Sequence, residues 1–434
     1  MMPQSNLFVA APLKQQREAE LRSLLASMNV RPGVVDPENK LVPFGQFDRM
    51  HFARFVILED RTQNDIHTVY GLPPYHDPVM LAFIADFDGE ADDFRSELAQ
   101  KAGSGLQQIF CCCEGFAAGS DVAAWMKDHE QPPAAVYSNW VGRTVRQIHE
   151  EESLRRTLED YVRSNSSLSA SGDARQIYET LKRFVESEVA AGRIVLSREP
   201  STPFGWRIRK FIHLIGIPLI LLILSPLLLL YSPFFLYQLR KREKSDGVLA
   251  PRPDSTHEAR LSEIEDHDVT NQFSAMGSIK PGLFRRWTLA FLLSLINYAA
   301  RHIYVRGHLA RVPTIHFARW VFLNEKRRVL FASNYDGSLD SYMDDFINKV
   351  GWGLNLAFTN GIGYPTTRWL VLDGSKDEQK FKYFLRRHEL PTEVWYNAHP
   401  GLTAFDLKRN TLIREGLDRS DMDESELNDW VALL

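Results

Sequence analysis

An α+β fold made of two copies of one unit around a membrane segment is what this 434-residue sequence predicts, on three observations. Sliding the chain by 248 positions lays Phe83 on Phe331, Asp88-Gly89 on Asp336-Gly337, Phe94 on Tyr342, Leu106 on Leu354, Phe110 on Phe358 and Gly115-Phe116 on Gly363-Tyr364 without a gap. Internal self-similarity of this kind defines the structural unit. A shared motif precedes the match: His51-Phe52-Ala53-Arg54 in one copy, His316-Phe317-Ala318-Arg319 in the other. Between the copies, residues 211–239 contain no Asp, Glu, Lys or Arg.

The elements of the second copy follow from its apolar pattern. Residues 316–323 and 329–335 alternate as strands, the latter stopped by the turn pair Asp336-Gly337. Ser338 caps a helix to residue 350, on which Leu339, Tyr342, Met343, Phe346 and Ile347 recur at helical spacing. Residues 354–359 and 368–372 read as strands, 376–388 as a helix with Phe381, Phe384 and Leu385 on one side, and 392–397 as the last strand. From residue 329 the order is strand, helix, strand, strand, helix, strand, the ferredoxin-like pattern. The first copy repeats it through 80–86, 92–99, 106–112, 120–129 and 134–138, lacking the third strand. Each unit has an apolar face to cover, so the two tandem ferredoxin-like units are expected to form a pseudo-dimeric module.

The chain then divides into an N-terminal helical extension (1–40), a first unit (41–146), a helical connector (147–206), the membrane segment (207–244), a linker with an interfacial helix (245–310), a second unit (311–415) and a C-terminal tail (416–434). In the connector, Leu154, Leu158 and Val162, then Ile177, Leu181, Phe184 and Val185, mark two helices about a Ser-rich loop at 164–172. Residues 247–268, acidic with two prolines, read as an exposed linker.

Composition sets the outer bounds. With 44% hydrophobic and 24% charged residues the chain is globular rather than disordered, and a net charge of -4 leaves no electrostatic footprint for nucleic acid. Residues 1–22 lack the basic and apolar regions of a secretory signal, and the only cysteines, Cys111, Cys112 and Cys113, are consecutive, as suits a reducing compartment. About 20 apolar residues cross a bilayer, so 211–239 is long enough to span. Basic residues flank it on both sides, Arg207, Arg209 and Lys210 before and Arg240, Lys241, Arg242 and Lys244 after, which favours both ends facing the cytoplasm. Ser225-Pro226 would break the helix into two arms too short to cross, and two packed units cannot sit on opposite sides of a membrane. A re-entrant hairpin reconciles these constraints, with residues 287–300 as an interfacial helix; an ordinary single span, or two crossings with 287–300 as the return, are the alternatives.

The candidate chemistry lies at the strand ends. A histidine with an arginine three places on, His51 with Arg54 and His316 with Arg319, suits a carboxylate, a haem propionate or a phosphate, although alternation places such residues on opposite faces of a regular strand. Asp88 and Asp336, each before glycine, are candidate proton-transfer groups as well as turn formers. His399, beside Pro400-Gly401, is a candidate metal ligand, and Trp140 or Val141 stands there in the first copy. The three cysteines read as small buried residues, and the common nucleotide-binding, zinc-protease and hydrolase motifs are absent.

The second copy, from His316-Phe317-Ala318-Arg319-Trp320 through Asn334-Tyr335-Asp336-Gly337-Ser338 to Trp395-Tyr396, resembles a family of bacterial membrane-associated proteins with tandem ferredoxin-like repeats, to which no activity is attached. At the level of fold, paired units of this kind resemble the dimeric α+β barrel superfamily of dye-decolourising peroxidases and chlorite dismutase-like haem proteins. That resemblance implies a distal Asp within Gly-x-x-Asp-Gly and a His on the haem iron, to which Asp336 and His399 would correspond. Asn334-Tyr335-Asp336-Gly337 lacks the first glycine of the motif. The function expected is a membrane-anchored, cytoplasm-facing pocket for an apolar or lipid-derived ligand, with haem-dependent or related oxidoreductase chemistry as its enzymatic form. A non-catalytic adaptor is the alternative.

Overall fold

The computed structural model describes residues 3–434 apart from 166–172, 199, 308, 310 and 420; most of the Ser-rich loop expected at 164–172 lies outside the described residues. Two four-stranded antiparallel sheets form the centre. The first contains β1 (Gln4–Pro12), β2 (Met50–Leu58) and β3 (Met80–Asp88); the second contains β4 (Ala135–Ser138), β5 (Thr270–Ser278), β6 (Ile315–Leu323) and β7 (Arg328–Asp336). The last strand, β8 (Thr392–Asn397), returns to the first sheet. The sheet orders are β1-β3-β2-β8 and β5-β7-β6-β4, so the two copies exchange their final strands.

The chain is a mixed α+β fold, and several of its elements fall in other segments than the sequence predicts. β1 lies in the stretch read as a helical extension, and β5 in the stretch read as linker and interfacial helix. Residues 106–112 and 354–359, read as strands, instead extend two 20-residue helices, α2 (Ala91–Phe110) and α3 (Leu339–Phe358). Gly103, Gly105, Gly351 and Gly353 look like helix breakers, yet at Gly105 the backbone of Leu41 lies where a Cβ would be, so glycine is required there. Residues 368–372 yield only a two-residue ladder, Thr367–Arg368 with Leu372–Asp373.

Period two sorts each strand between two cores. Phe8, Val56 and Ile84 of the first sheet meet Val321, Leu330 and Ala332 of the second, so the sheets pack face to face. The outer face of the first sheet, with Phe55, Phe83 and Phe87, is covered by α2, and that of the second, with Phe273, Ala318 and Phe331, by α3 and by α4 (Leu283–His302). At the centre two buried arginines cross between the sheets in opposite directions. Arg54 donates to the carbonyls of Phe273 (2.9 Å) and Ser333 (3.0 Å) and to Asn334; Arg319 donates to the carbonyls of Leu7 and Ala85, each at 3.2 Å, and to Asp86.

The apolar segment is one helix, α5 (Phe204–Ser245), of 42 residues and, at 1.5 Å per residue, about 63 Å. The turn expected at Ser225-Pro226 is not formed. A proline removes the N–H that would bond the carbonyl four residues back, and each such carbonyl has found another donor. Leu222, orphaned by Pro226, accepts from Ser225 Oγ at 2.7 Å; Leu229, orphaned by Pro233, accepts from Ser232 Oγ at 2.8 Å; Leu214, orphaned by Pro218, accepts from Tyr298 of α4 at 3.1 Å. With all three satisfied, the helix runs on through its prolines. It is the single described helix long and apolar enough to cross a membrane.

Candidate functional site

Both copies carry a β-bulge at their histidine. β2 pairs Met50 with Phe87 and Phe52 with Asp86, and β6 pairs Ile315 with Tyr335 and Phe317 with Asn334, leaving His51 and His316 as the extra residues. A bulge re-aims a side chain, and here it turns both histidines toward the gap between the sheets. That is why the plain alternation expected of His and Arg fails. Each histidine donates from Nε2 to the aspartate ending the neighbouring strand, His51 to Asp88 at 3.0 Å and His316 to Asp336 at 2.7 Å. The second oxygen of each aspartate accepts the first backbone N–H of the helix after an exchanged strand: Val145 at 2.9 Å, opening α6 (Val145–Ser164), and Ala404 at 2.7 Å, opening α7 (Ala404–Leu417). A carboxylate at a helix N-terminus is favoured by charge as well as by hydrogen bonding. Thr144 and Thr403 close matching capping boxes.

His399 lies between the two His–Asp pairs. Its ring centroid is 6.1 Å from that of His51, 5.9 Å from that of His316 and 5.0 Å from that of Phe52. Burial, followed by the charges of His316, His51 and His149, holds it well below the ordinary histidine range, so it is neutral at pH 7. In the unfolded chain it titrates near 6.5. Below about pH 6.5 the unfolded state therefore binds the proton first, and stability falls as pH drops toward the lower folded value. Urea midpoints at pH 7 and 5.5 should show this loss, with a weaker dependence in His399→Gln; equal slopes in the two proteins would refute the assignment.

Asp88, Asp336, His316 and His399 thus converge in one place, with His51. Arg319 does not join them, because it is engaged with Asp86 in the central network. Cys112 and Cys113 are buried at the end of α2, and burial pushes the Cys113 thiol up to about 12. Arg143 and Trp140, which also line the histidine void, were not singled out by their residue types. The signal available was asymmetry, since the repeat lays Arg143 on Leu402.

The haem implied by the superfamily resemblance does not fit these residues. The void beside His399 is about 20 Å³, room for one or two waters, and aromatic rings close on the imidazole from three sides. Asp336 has both carboxylate oxygens engaged. Among the described residues no group of three or more His, Cys, Asp or Glu side chains could hold a metal ion.

A second cavity, apolar and about 250 Å³, lies between the outer face of the second sheet and helices α3 and α4, lined among others by Phe273, Ala318, Phe331, Ile296, Met343 and Ala357. Most of its partly exposed members, among them Leu295, Ile296, Ala299, Phe346, Trp352 and Leu356, stand on α4 and α3, with Tyr304, Leu309 and Trp320 beside them, and the cavity opens on this side. α3 departs from helical geometry at Val350, which also lines the space. The first copy fills the equivalent position. There, at the position equivalent to Gly353, Gly105 is covered by the backbone of Leu41, whose oxygen lies 1.9 Å from where a Cβ would be, and Val42, Phe44 and Phe47 complete the core.

The chain matches no protein-family model, curated protein or solved structure. Its function is argued from these residues alone.

Proposed function

We propose that the protein is a membrane-anchored, cytoplasm-facing module of two tandem ferredoxin-like units, paired as a pseudo-dimer, whose second unit binds an apolar or lipid-derived ligand. The observation that carries this reading is the apolar cavity over the second sheet, in the position that the first unit fills with its own Leu41 to Phe47 segment. Groups that line a space of about 250 Å³ lack packing partners on that side, and an apolar ligand would supply them. A void of about 150 Å³ lined by aliphatic and aromatic groups already takes up benzene, and this one is larger.

The anchor and the cavity are neighbours. Phe235 of α5 packs on Phe284 at the start of α4, Leu239 clusters with Leu292, and His213 near the other end of the apolar run bonds His302 at 2.8 Å. α4 therefore runs antiparallel to α5 and touches it near residues 213 and 235, about 33 Å apart along α5. Exposed Leu283, Trp287 and Phe291 of α4 and Trp352 of α3 add to the apolar surface along α5. Basic residues at both ends of α5 support a cytoplasmic placement. This arrangement favours α5 lying in one leaflet, with the mouth of the cavity toward the lipid.

Filling the cavity tests the reading. Protein purified in mild detergent should carry bound lipid, seen by native mass spectrometry, and should bind parinaric acid saturably. Ala357→Phe should weaken parinaric acid binding at least tenfold while circular dichroism is unchanged. Wild-type protein that carries no lipid and binds no parinaric acid would overturn the proposal in favour of a non-catalytic adaptor.

A further inference from the structure

We propose that the void between the two His–Asp pairs binds the carboxylate of a small ligand side-on to Arg143. Arg143 is 6% exposed, and its Nε and Nη2 have no hydrogen-bond partner. Those two nitrogens form one edge of the guanidinium, the edge that meets a carboxylate with two parallel bonds. Among the described residues no carboxylate lies within ion-pair distance of it. Glu151 and Glu415 act on Arg143 only at longer range, and the Glu151 carboxylate accepts from Thr411 Oγ1 at 2.7 Å. A buried cation without a counter-charge costs several kcal/mol, and an anion bound at the free edge would remove that cost.

The guanidinium is held in place. It stacks on Trp140 with 4.1 Å to the ring centroid, and the Gln4 amide donates to the Arg143 carbonyl at 2.6 Å. The second group that points to a ligand is His399, 2% exposed, whose Nδ1 has no partner and which lines the same void. A neutral imidazole protonated at Nδ1 gives a carboxylate oxygen a third donor. At about 20 Å³ the void takes the carboxylate head alone. The rest of the ligand must leave past Gln4 and Trp140, the only lining residues that are partly exposed. Neither Arg143 nor His399 is repeated in the other copy, where Leu402 and Trp140 or Val141 stand, so the repeated scaffold does not require them.

Acetate is the probe, being too polar for the separate apolar cavity. Calorimetric titration of the full chain in detergent and chloride-free buffer should give saturable acetate binding. The thermal midpoint should rise by about 3 °C at an acetate concentration 100-fold above its Kd. Phosphate and chloride should bind at least tenfold more weakly than acetate. Arg143→Gln should abolish the acetate response and leave parinaric acid binding intact. If that variant does not fold, Arg143→Lys, which keeps the charge and loses the planar edge, should weaken acetate at least tenfold. Absence of saturable acetate binding, equal or tighter binding of phosphate or chloride, or an unchanged acetate response in Arg143→Lys would each overturn the proposal.

Discussion

Replacing Arg319 by alanine is expected to lower the unfolding free energy by about 3–5 kcal/mol, the cost of leaving one partner of a buried ion pair alone. Asp86 and Arg319 are both buried, and Arg319 also caps two carbonyls of the opposite sheet, Leu7 and Ala85. The network is asymmetric in charge, because Asn334 occupies the position that Asp86 holds in the other copy. Two guanidinium groups thus share one carboxylate, Asp86, which also accepts from the Asn334 amide at 3.2 Å. Arg54 carries the strain: burial, followed by the charge of Arg319, pushes it down to about 9. Arg54→Met should therefore cost less than Arg319→Ala, since it removes the repulsion along with the hydrogen bonds. Asp86→Asn should cost at least as much as Arg319→Ala, because both cations then lack a counter-charge. Urea unfolding of the three variants orders them; an Arg54→Met protein less stable than Arg319→Ala would show that the carbonyl caps outweigh the charges.

This network shows what one sequence holds and what it hides. The 248-residue offset places β3 on β7 and α2 on α3 residue for residue, because those segments keep both their lengths and their apolar pattern. β5 reads Thr270-Asn-Gln-Phe-Ser-Ala-Met-Gly-Ser278, too polar to declare itself as a strand, yet its polar side chains are buried: Ser274 Oγ accepts from Arg54 at 3.0 Å, and Thr270 Oγ1 donates to Asp336 at 3.0 Å. Partners 220 and 66 residues away made those positions legible only in three dimensions. The exchange of β4 and β8 is hidden for the same reason, since a short edge strand carries no mark of the sheet it joins. The histidines were visible as a repeated pair, but the bulges that bring them together depend on cross-strand register. The prolines do not break α5 because each orphaned carbonyl accepts from a serine or tyrosine hydroxyl, a partner that the proline itself does not reveal.

Arginine at both Leu222 and Leu229 is expected to weaken membrane binding, at a cost for each charge of up to about 2.5–3.5 kcal/mol, the value at the bilayer centre. Both side chains are exposed on α5. How α5 meets the bilayer follows from its two fastened ends. Glu243 accepts the N–H groups of Trp369 (3.0 Å) and Leu370 (2.8 Å), Asp246 pairs with Lys280 at 2.8 Å, and at the other end Arg209 pairs with Glu90 at 2.8 Å. Those partners belong to one folded body, and α4 between them rests on the second sheet through Leu289 and Leu293. A perpendicular α5 would set its two contacts with α4, about 33 Å apart, across the roughly 30 Å of hydrocarbon, taking α4 and its arginines into the lipid. Lying in one leaflet avoids this. In a Cys111→Ser background, where the two remaining thiols are buried, Gly205→Cys and Lys244→Cys should label from the same side of sealed vesicles. A probe at Leu222→Cys should sit no deeper than probes at residues 215 and 234. Labelling from opposite sides would establish a crossing, and a markedly deeper midpoint would establish a hairpin that opens only in lipid; either result would displace the in-plane arrangement while leaving the ligand cavity to its own test.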